Sequence, residues 1–220
     1  MSKIAKTDAL LNEPGHDCPL CPRLVEFRLK HRHISPDWYG GPVPCFGSLD
    51  ARLLIVGLAP GLNGAHRTGR PFTGDYAGVL LYSTLLKFGF AKGHYDARPD
   101  DGLTLNDCLI ANSVRCVPPE NKPTPKEIAT CRPFLVNMMA AMPSLSHVVV
   151  LGRIAHESFL RACGLALKDH PFSHGAKHRL DHLTLHDSYH CSRYNTQTGV
   201  LTQAMFEAVF ATIRQELDKN

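Results

Sequence analysis

Near the end of its first quarter the chain reads Arg52-Leu53-Leu54-Ile55-Val56-Gly57, an apolar run that ends in glycine. A short, continuous apolar run is typical of a strand that is buried on both faces, as in a parallel sheet. Three similar runs follow along the chain, at residues 109–114, 147–151 and 183–186. The sequence therefore predicts four buried strands.

Each of these runs is followed by a segment with helical periodicity. The four segments span residues 79–88, a stretch that starts at residue 125, residues 153–162 and residues 201–217. The second has the clearest start, because Thr124, Pro125 and Glu127 form a capping-box pattern with proline in the first turn. Parallel strands need crossover connections, which helices usually supply. We therefore predict a three-layer α/β/α fold with a four-stranded, mainly parallel central sheet, as one domain over residues 1–220.

The composition is that of an ordinary globular protein. Hydrophobic residues make up 44% of the 220 residues and charged residues 20%, which argues against disordered and fibrous classes. No apolar run approaches the roughly 20 residues of a membrane span, and residues 1–8 lack the apolar segment of a secretory signal. We expect a cytoplasmic monomer without membrane association. The formal net charge of +4 is compatible with a polyanionic partner but does not identify one.

Eight cysteines are unusual in a protein expected to stay in a reducing compartment. Cys18 and Cys21 form a CxxC motif in an N-terminal extension of about residues 1–50, and Cys116 and Cys131 flank a proline-rich loop. Four ligands converge on one metal centre in this way, although spacing alone does not separate zinc from an iron–sulfur cluster. A chance CxxC and a thioredoxin-type redox pair are the competing interpretations. We interpret the other four as buried thiols: Cys45, Cys108, Cys163 and Cys191.

A glycine-rich loop follows the first predicted strand, at the edge of the sheet where such folds bind ligands. Its glycine spacing fits neither a dinucleotide fingerprint nor a P-loop. The loop carries Phe72 three residues before Asp75, a combination that suits a flat base beside a catalytic acid or base. The alternative role of Asp75 is the N-cap of the next helix.

The loop after the fourth strand is rich in residues that contact phosphates. Ser192, Arg193 and Asn195 stand around a turn that precedes the last helix. His190 beside them can donate a hydrogen bond to a developing anion, although a lone histidine at a strand end is more often structural.

Four segments in this order resemble the uracil-DNA glycosylase superfamily, and within it the iron–sulfur, type 5 branch. The resemblance extends from about Cys18 to Leu217. Its segments are Gly57-Leu58-Ala59-Pro60-Gly61, then Arg67-Thr68-Gly69-Arg70-Pro71-Phe72-Thr73-Gly74-Asp75, then Asn112-Ser113-Val114-Arg115-Cys116-Val117-Pro118-Pro119-Glu120-Asn121-Lys122-Pro123, and Ser188-Tyr189-His190-Cys191-Ser192-Arg193.

The resemblance implies a nucleoid-associated DNA repair enzyme that flips deaminated bases out of the duplex and hydrolyses their N-glycosidic bonds. Uracil is the expected base, with hypoxanthine and other modified bases as further substrates. The resemblance also implies a structural [4Fe–4S] cluster. Its ligands would be Cys18, Cys21, Cys116 and Cys131.

The resemblance also implies roles for residues around the predicted pocket. His190 would donate to uracil O2, Phe72 would stack on the base, and Asn112 would read the base edge. The first motif lacks the carboxylate that positions water in the uracil-specific branches, so Asp75 is the first candidate for that role and Asn121 the second. Backbone contacts to the base would come from Gly57, Leu58, Ala59 and Gly61. Phosphate contacts would come from Ser192, Arg193, Asn195 and Arg67, with Arg70, Arg115 and Lys122 as further basic candidates.

Two other interpretations stay open: an iron–sulfur protein that binds nucleic acid without catalysis, and a zinc-containing binding module. A further pattern invites a metal-site interpretation, since histidine recurs at every fourth residue from His170 to His190. Pro171 and Gly175 interrupt any helix there, and residues 183–186 read as a strand. We interpret this period as coincidence.

Overall fold

The centre of the molecule is a six-stranded sheet, described here from a computed structural model that covers residues 13–219. Its strands lie in the order β1-β5-β2-β6-β8-β7. They are β1 (Phe46–Gly47), β2 (Leu53–Gly57), β5 (Cys108–Asn112), β6 (His147–Leu151), β7 (Lys177–Leu180) and β8 (Leu183–Ser188). A separate two-stranded ribbon is formed by β3 (Ala91–Lys92) and β4 (Thr104–Leu105).

The four predicted strands form the parallel centre of this sheet. Strand β2 pairs in parallel with β5 and β6, and β6 pairs in parallel with β8. Two strands that the sequence does not predict, β1 and β7, add antiparallel edges, so the sheet has six strands instead of four. Strand β1 has two residues, and β7 is half-exposed and polar, so neither produces a continuous apolar run.

Six α-helices lie within residues 13–219. They are α1 (Pro22–Ile34), α2 (Tyr76–Lys87), α3 (Pro125–Ala140), α4 (Arg153–Ala162), α5 (Arg193–Gln197) and α6 (Gln203–Leu217). The capping box of α3 is confirmed. The backbone N–H of Glu127 donates to Thr124 Oγ1, and the backbone N–H of Thr124 donates to the Glu127 carboxylate. Helix α2 starts at residue 76 instead of 79, because Asp75 caps it.

Alternate residues of the parallel strands enter two apolar clusters on opposite faces of the sheet. On one face Leu53 and Ile55 pack with α2 and α6, and on the other Leu54 and Val56 pack with α3 and α4. This alternation confirms the three-layer α/β/α architecture. The parallel strands therefore form a rigid floor, and their carboxyl ends lie at one edge.

The described part of the predicted N-terminal extension is tied to the sheet. Leu24 of α1 packs in a small apolar cluster with Val114 and Ile128, and Phe46–Gly47 joins the sheet as β1. Residues 1–12, which include the segment analysed for a secretory signal, lie outside the described residues. Within residues 13–219 every helix is too short or too polar to cross a membrane.

Candidate active site

A cavity of about 510 Å³ opens at the carboxyl ends of β2 and β5. It is lined by residues from four separate loops, because the ends of parallel strands meet at the same edge of a sheet. Ten of the residues singled out from the sequence line it: Leu58, Ala59, Gly61, Phe72, Asp75, Asn112, Asn121, His190, Ser192 and Arg193. Three others, Gly57, Arg67 and Asn195, are not part of the lining.

Gly57 lies directly beneath this cavity. A Cβ atom there would overlap Oδ1 of Asn112 and lie 2.7 Å from Cζ of Phe72. Contacts this close are possible only where the backbone carries no side chain. Gly57 therefore allows the Phe72 ring and the Asn112 amide to approach the end of β2.

Phe72 is held in an unusual backbone conformation at the cavity wall. Its φ angle of 53° lies in the left-handed region, which side-chain-bearing residues rarely adopt. The Tyr95 hydroxyl donates a hydrogen bond of 3.2 Å to the Phe72 carbonyl. The Phe72 ring centroid lies 6.1 Å from that of His190, with the ring planes 32° apart. The surrounding structure thus maintains a strained conformation that sets the ring in place.

Asn112 ends β5 and is only 3% exposed. Its Oδ1 atom is buried without a hydrogen-bond partner among the described residues. A buried acceptor left unpaired costs about 1–3 kcal/mol, so a ligand that donates to this atom would recover that free energy. The Asn112 amide is therefore a ready hydrogen-bonding group in the cavity.

Asp75 serves both of the roles considered from the sequence. One carboxylate oxygen, Oδ1, caps α2 by accepting from the Gly78 backbone N–H at 3.2 Å. The other, Oδ2, packs against the glycine-rich turn, where a Cβ on Gly64 would lie 2.5 Å away and one on Gly61 3.2 Å away. Burial raises the pKa of Asp75, and backbone N–H groups of Gly78 and Ala77 offset part of the rise. The cavity thus contains a carboxyl group with elevated proton affinity.

His190 contributes a neutral imidazole. Burial lowers its pKa to about 4 because the charged form would lose its hydration. The Asn195 side-chain amide donates a hydrogen bond of 2.8 Å to the His190 carbonyl. Asn195 was predicted to contact phosphate, and the structure instead engages its amide in holding the His190 loop. Ser192 caps α5, with Oγ 3.4 Å from the Asn195 backbone N–H.

Two further histidines secure the strand end that carries His190. Asp187 is fully buried in β8 and accepts from His156 Nδ1 at 2.7 Å and from His178 Nε2 at 3.1 Å. The remaining ring nitrogen of His156 lies 2.8 Å from the carbonyl oxygen of His170. Sequence reasoning missed this network, because its members come from a helix, a loop and two strands.

The basic residues divide into exposed and buried ones. Arg193 is exposed, with its guanidinium 5.2 Å above the Tyr76 ring, and Arg67 is exposed at the cavity margin. Two of the further basic candidates for DNA contact are wrong. Arg70 is 5% exposed and forms a two-pronged pair with Asp101, and Arg115 is 1% exposed and pairs with Glu13. Both guanidinium groups are too deeply buried to reach a phosphate.

The four cysteines predicted as metal ligands come together. Cys18, Cys21, Cys116 and Cys131 line one small apolar pocket as free thiols. Arg28, which is fully buried, donates from Nη1 to Cys116 Sγ at 3.3 Å. Burial raises the pKa of Cys116 to about 11 and that of Cys131 to about 12 in the metal-free thiols.

The other four cysteines fit the prediction of buried thiols only in part. Cys108 and Cys191 are buried as expected, whereas Cys45 and Cys163 are half-buried. Cys45 lies beside Arg115, whose Nη1 is 3.0 Å from its sulfur. None of these four lines the pocket that the predicted ligands share.

Some cavity residues gave no recognisable sequence signal. Tyr76 and Asn63 line the cavity, and Tyr194 stands next to Arg193 with 73% of its surface exposed. An aromatic residue beside a catalytic candidate is common in any chain, so only the fold reveals that Tyr76 lines the cavity.

A cavity of this size at the strand ends, with an aromatic ring, a buried amide and a neutral histidine, defines an α/β protein whose site is suited to a flat, hydrogen-bonding ring. The chain belongs to the uracil DNA glycosylase superfamily, whose family model matches residues 44–214. The family resemblance of the sequence motifs is thereby confirmed.

Three similar proteins bear the name type-5 uracil-DNA glycosylase. The protein from Thermus thermophilus is 44% identical over 197 residues, covering 86% of this chain and 89% of its own length. That from Mycobacterium leprae is 41% identical over 209 residues and covers 91% of each chain. That from Pyrobaculum aerophilum is 36% identical over 190 residues, covering 84% of this chain and 83% of its own. The similarity thus extends over nearly the whole fold.

Proposed function

We propose that this chain excises uracil from DNA by hydrolysing the N-glycosidic bond, as a step of base excision repair. Membership of the superfamily and similarity to type-5 uracil-DNA glycosylases support the reaction. The observation that carries it here is the meeting of Phe72, Asn112, His190 and Asp75 in one cavity. A base stacked in a duplex cannot enter such a cavity, so the nucleotide is flipped out of the helix.

The Asn112 amide suits the edge of uracil. Uracil presents an N3–H donor next to the O4 acceptor, so N3–H donates to the unpaired Oδ1 of Asn112 while Nδ2 donates to O4. At the same positions cytosine presents its N3 acceptor and its N4 amino donor. Oδ1 of Asn112 would then face an acceptor, and Nδ2 would face a donor. Stacking on Phe72 adds about 1–3 kcal/mol of sequence-tolerant affinity.

Hypoxanthine satisfies the same amide. Its N1–H donor and O6 acceptor have the same order as N3–H and O4 of uracil, and an aromatic ring stacks on a purine as well as on a pyrimidine. We therefore extend the proposal to hypoxanthine, and to other deaminated bases that show a ring N–H beside a carbonyl.

Bond cleavage leaves negative charge on the departing base and positive charge on the sugar. The neutral imidazole of His190 donates a hydrogen bond to O2 of uracil, where the negative charge develops. Backbone N–H groups of the loop from Leu58 to Gly61 add donors at the same side of the cavity. Such groups are fixed before the reaction, so they need no reorganisation as charge appears.

We assign to Asp75 the activation of the attacking water. Its Oδ2 lies against the glycine-rich turn, and its raised pKa makes the carboxylate a stronger base than an ordinary aspartate. Asn121 also lines the cavity, and its amide can orient a water but does not take its proton. Asn121 is therefore the second candidate, for orientation.

The DNA backbone runs along the cavity mouth in this proposal. Ser192 and Arg193 line the cavity, and Arg193 is exposed; Arg67, and Lys122 next to the cavity residue Asn121 in the chain, are exposed as well. Cationic side chains provide the sequence-independent part of DNA binding. The exposed Tyr194 ring is placed to occupy the space that the flipped base leaves.

The four-cysteine pocket fits an iron–sulfur cluster better than a single zinc ion. A tetrahedral zinc site holds its sulfurs about 3.8 Å apart, since Zn–S bonds are about 2.3 Å. Within residues 13–219, no three of these sulfurs lie within 4.8 Å of one another, which suits a larger centre. We assign a [4Fe–4S] cluster to Cys18, Cys21, Cys116 and Cys131. Such a cluster would link α1 to β5 and α3 and supply structural stability.

A panel of duplexes that each contain one modified base tests the reaction. We expect purified protein to release uracil and hypoxanthine, leave abasic sites and spare undamaged duplex, since the amide of Asn112 accepts both bases. Base release is measured by alkaline strand cleavage of labelled DNA. Binding without release of any base would indicate a non-catalytic nucleic-acid-binding protein, and release of uracil alone would overturn the extension to hypoxanthine.

Gly57→Ala tests the close approach beneath the base. The added methyl group would displace Asn112 and Phe72, so we expect kcat/KM for uracil excision to fall by about 100-fold, the scale of a misplacement of about 1 Å. Gly15→Ala is the matched control, because a Cβ there meets nothing within 4 Å and Gly15 lies outside the cavity, so its rate should match that of wild type. Circular dichroism verifies both folds. Equal rates for the two variants would contradict the assignment.

Asp75→Asn tests water activation through the pH profile. The wild-type carboxylate is lost as pH falls through its raised pKa, so we expect single-turnover excision to decline on the acidic side of the profile. The variant should be slower by about 10²–10⁴-fold and lack this acidic limb. Asp96→Asn, on an exposed loop, is the control. A variant that keeps the wild-type limb would show that another group takes the proton.

Iron analysis tests the cluster. We expect anaerobically purified protein to be coloured and to contain about four iron atoms and four acid-labile sulfides per chain. Cys131→Ser should lose most of this iron and lower the melting temperature, whereas Cys163→Ser should keep it, because Cys163 lies outside the four-cysteine pocket. If the wild-type protein is colourless and contains zinc without iron, the four cysteines hold zinc and the cluster assignment is wrong.

A further inference from the structure

A second group of potential metal ligands lies at the amino end of β6, away from the cavity. His147 opens β6, His186 lies in the neighbouring strand β8, and Glu216 lies near the end of α6. In the parallel register His147 pairs with Thr184, two residues before His186, so both imidazoles stand on the same face of the sheet. Their rings stack with centroids 5.6 Å apart and planes 19° apart.

The two imidazoles converge on one carboxylate oxygen. Glu216 Oε2 lies 3.2 Å from His147 Nε2 and 3.7 Å from His186 Nε2. These three ligand atoms lie within 4.8 Å of one another, and both histidines are only 4% exposed. Two nitrogens and one oxygen at this spacing form the donor set of many zinc and other first-row metal sites.

The ring nitrogen of His186 is the atom that hydrogen bonding does not explain. Among residues 13–219, Nε2 of His186 is buried without a hydrogen-bond partner, because the 3.7 Å to Glu216 exceeds hydrogen-bonding range. A buried nitrogen with no partner destabilises the folded state. Coordination to a cation between the three ligands removes this cost.

Both ring nitrogens of His147 are held in place. The Ser146 hydroxyl lies 3.0 Å from Nδ1, and Nε2 lies 3.2 Å from Glu216 Oε2. Nε2 therefore already faces the carboxylate, while Ser146 holds the remote nitrogen. A hydrogen bond that holds the remote nitrogen of a metal-binding histidine is the usual arrangement around metal ligands.

We propose that His147, His186 and Glu216 bind one divalent metal ion of the zinc class. The other oxygen of Glu216 pairs with the Lys177 ammonium, and Oε2 is the oxygen that faces the two imidazoles. Three protein ligands leave a fourth position for water, and the ion would fasten α6 to β6 and β8. The ion contributes stability at this end of the sheet, and the base-binding cavity does not depend on it.

Zinc stoichiometry tests the site in the intact protein. Wild type and the double variant His147→Gln/His186→Gln are dialysed against the same Zn²⁺ solution, and zinc and iron are measured in both. We expect wild type to contain one more zinc per chain than the double variant, with equal iron. Zinc should also raise the wild-type Tm by about 5 °C and leave that of the double variant unchanged.

Two single variants complete the test. One should weaken zinc binding, and the other is a control. Glu216→Gln keeps the size of the side chain but removes its charge, so its affinity for Zn²⁺ should fall at least tenfold even if the double variant fails to fold. His182→Gln changes an exposed histidine outside the site and should retain the wild-type zinc content. Equal zinc in wild type and the double variant, or wild-type affinity in Glu216→Gln, overturns the proposal.

Discussion

The cavity depends on a close approach between three chain segments at the end of β2. Gly57 has no side chain, and the space that a Cβ would occupy is taken by Asn112 Oδ1 and the Phe72 ring. Phe72 reaches this place only through a left-handed backbone conformation, which the Tyr95 hydroxyl helps to hold. A strained residue, an unpaired amide and a bare glycine thus belong to one arrangement, since each is tolerated only because the others are present.

Burial shifts the protonation of Asp75 and His190 in this cavity, and it favours the uncharged form of each. It raises the pKa of Asp75 and lowers that of His190 to about 4. The same removal of water makes a neutral imidazole available as a donor and makes a carboxylate more basic. A cavity that excludes water also strengthens the hydrogen bonds that stabilise a departing base anion.

The sequence predicts the parallel centre of the fold and the residues that meet in the cavity, because apolar runs and loop motifs are local features. Arg70 and Arg115 were misjudged, since their partners Asp101 and Glu13 lie 31 and 102 positions away. Strands β1 and β7 were missed because they are short or polar. The single domain, the roles assigned to individual residues, the monomeric state and the cytoplasmic location stay predictions.

Two histidine–carboxylate clusters in this chain have similar composition and different chemistry. Around Asp187, both ring nitrogens of His156 have partners, so hydrogen bonding alone accounts for that cluster and it holds the His190 strand in place. Around Glu216, the buried Nε2 of His186 has none. Periodic histidines in the sequence could not separate these cases, because the deciding groups, Asp187 and Glu216, come from different elements. Satisfied nitrogens indicate a structural network, and an unsatisfied one indicates a ligand site.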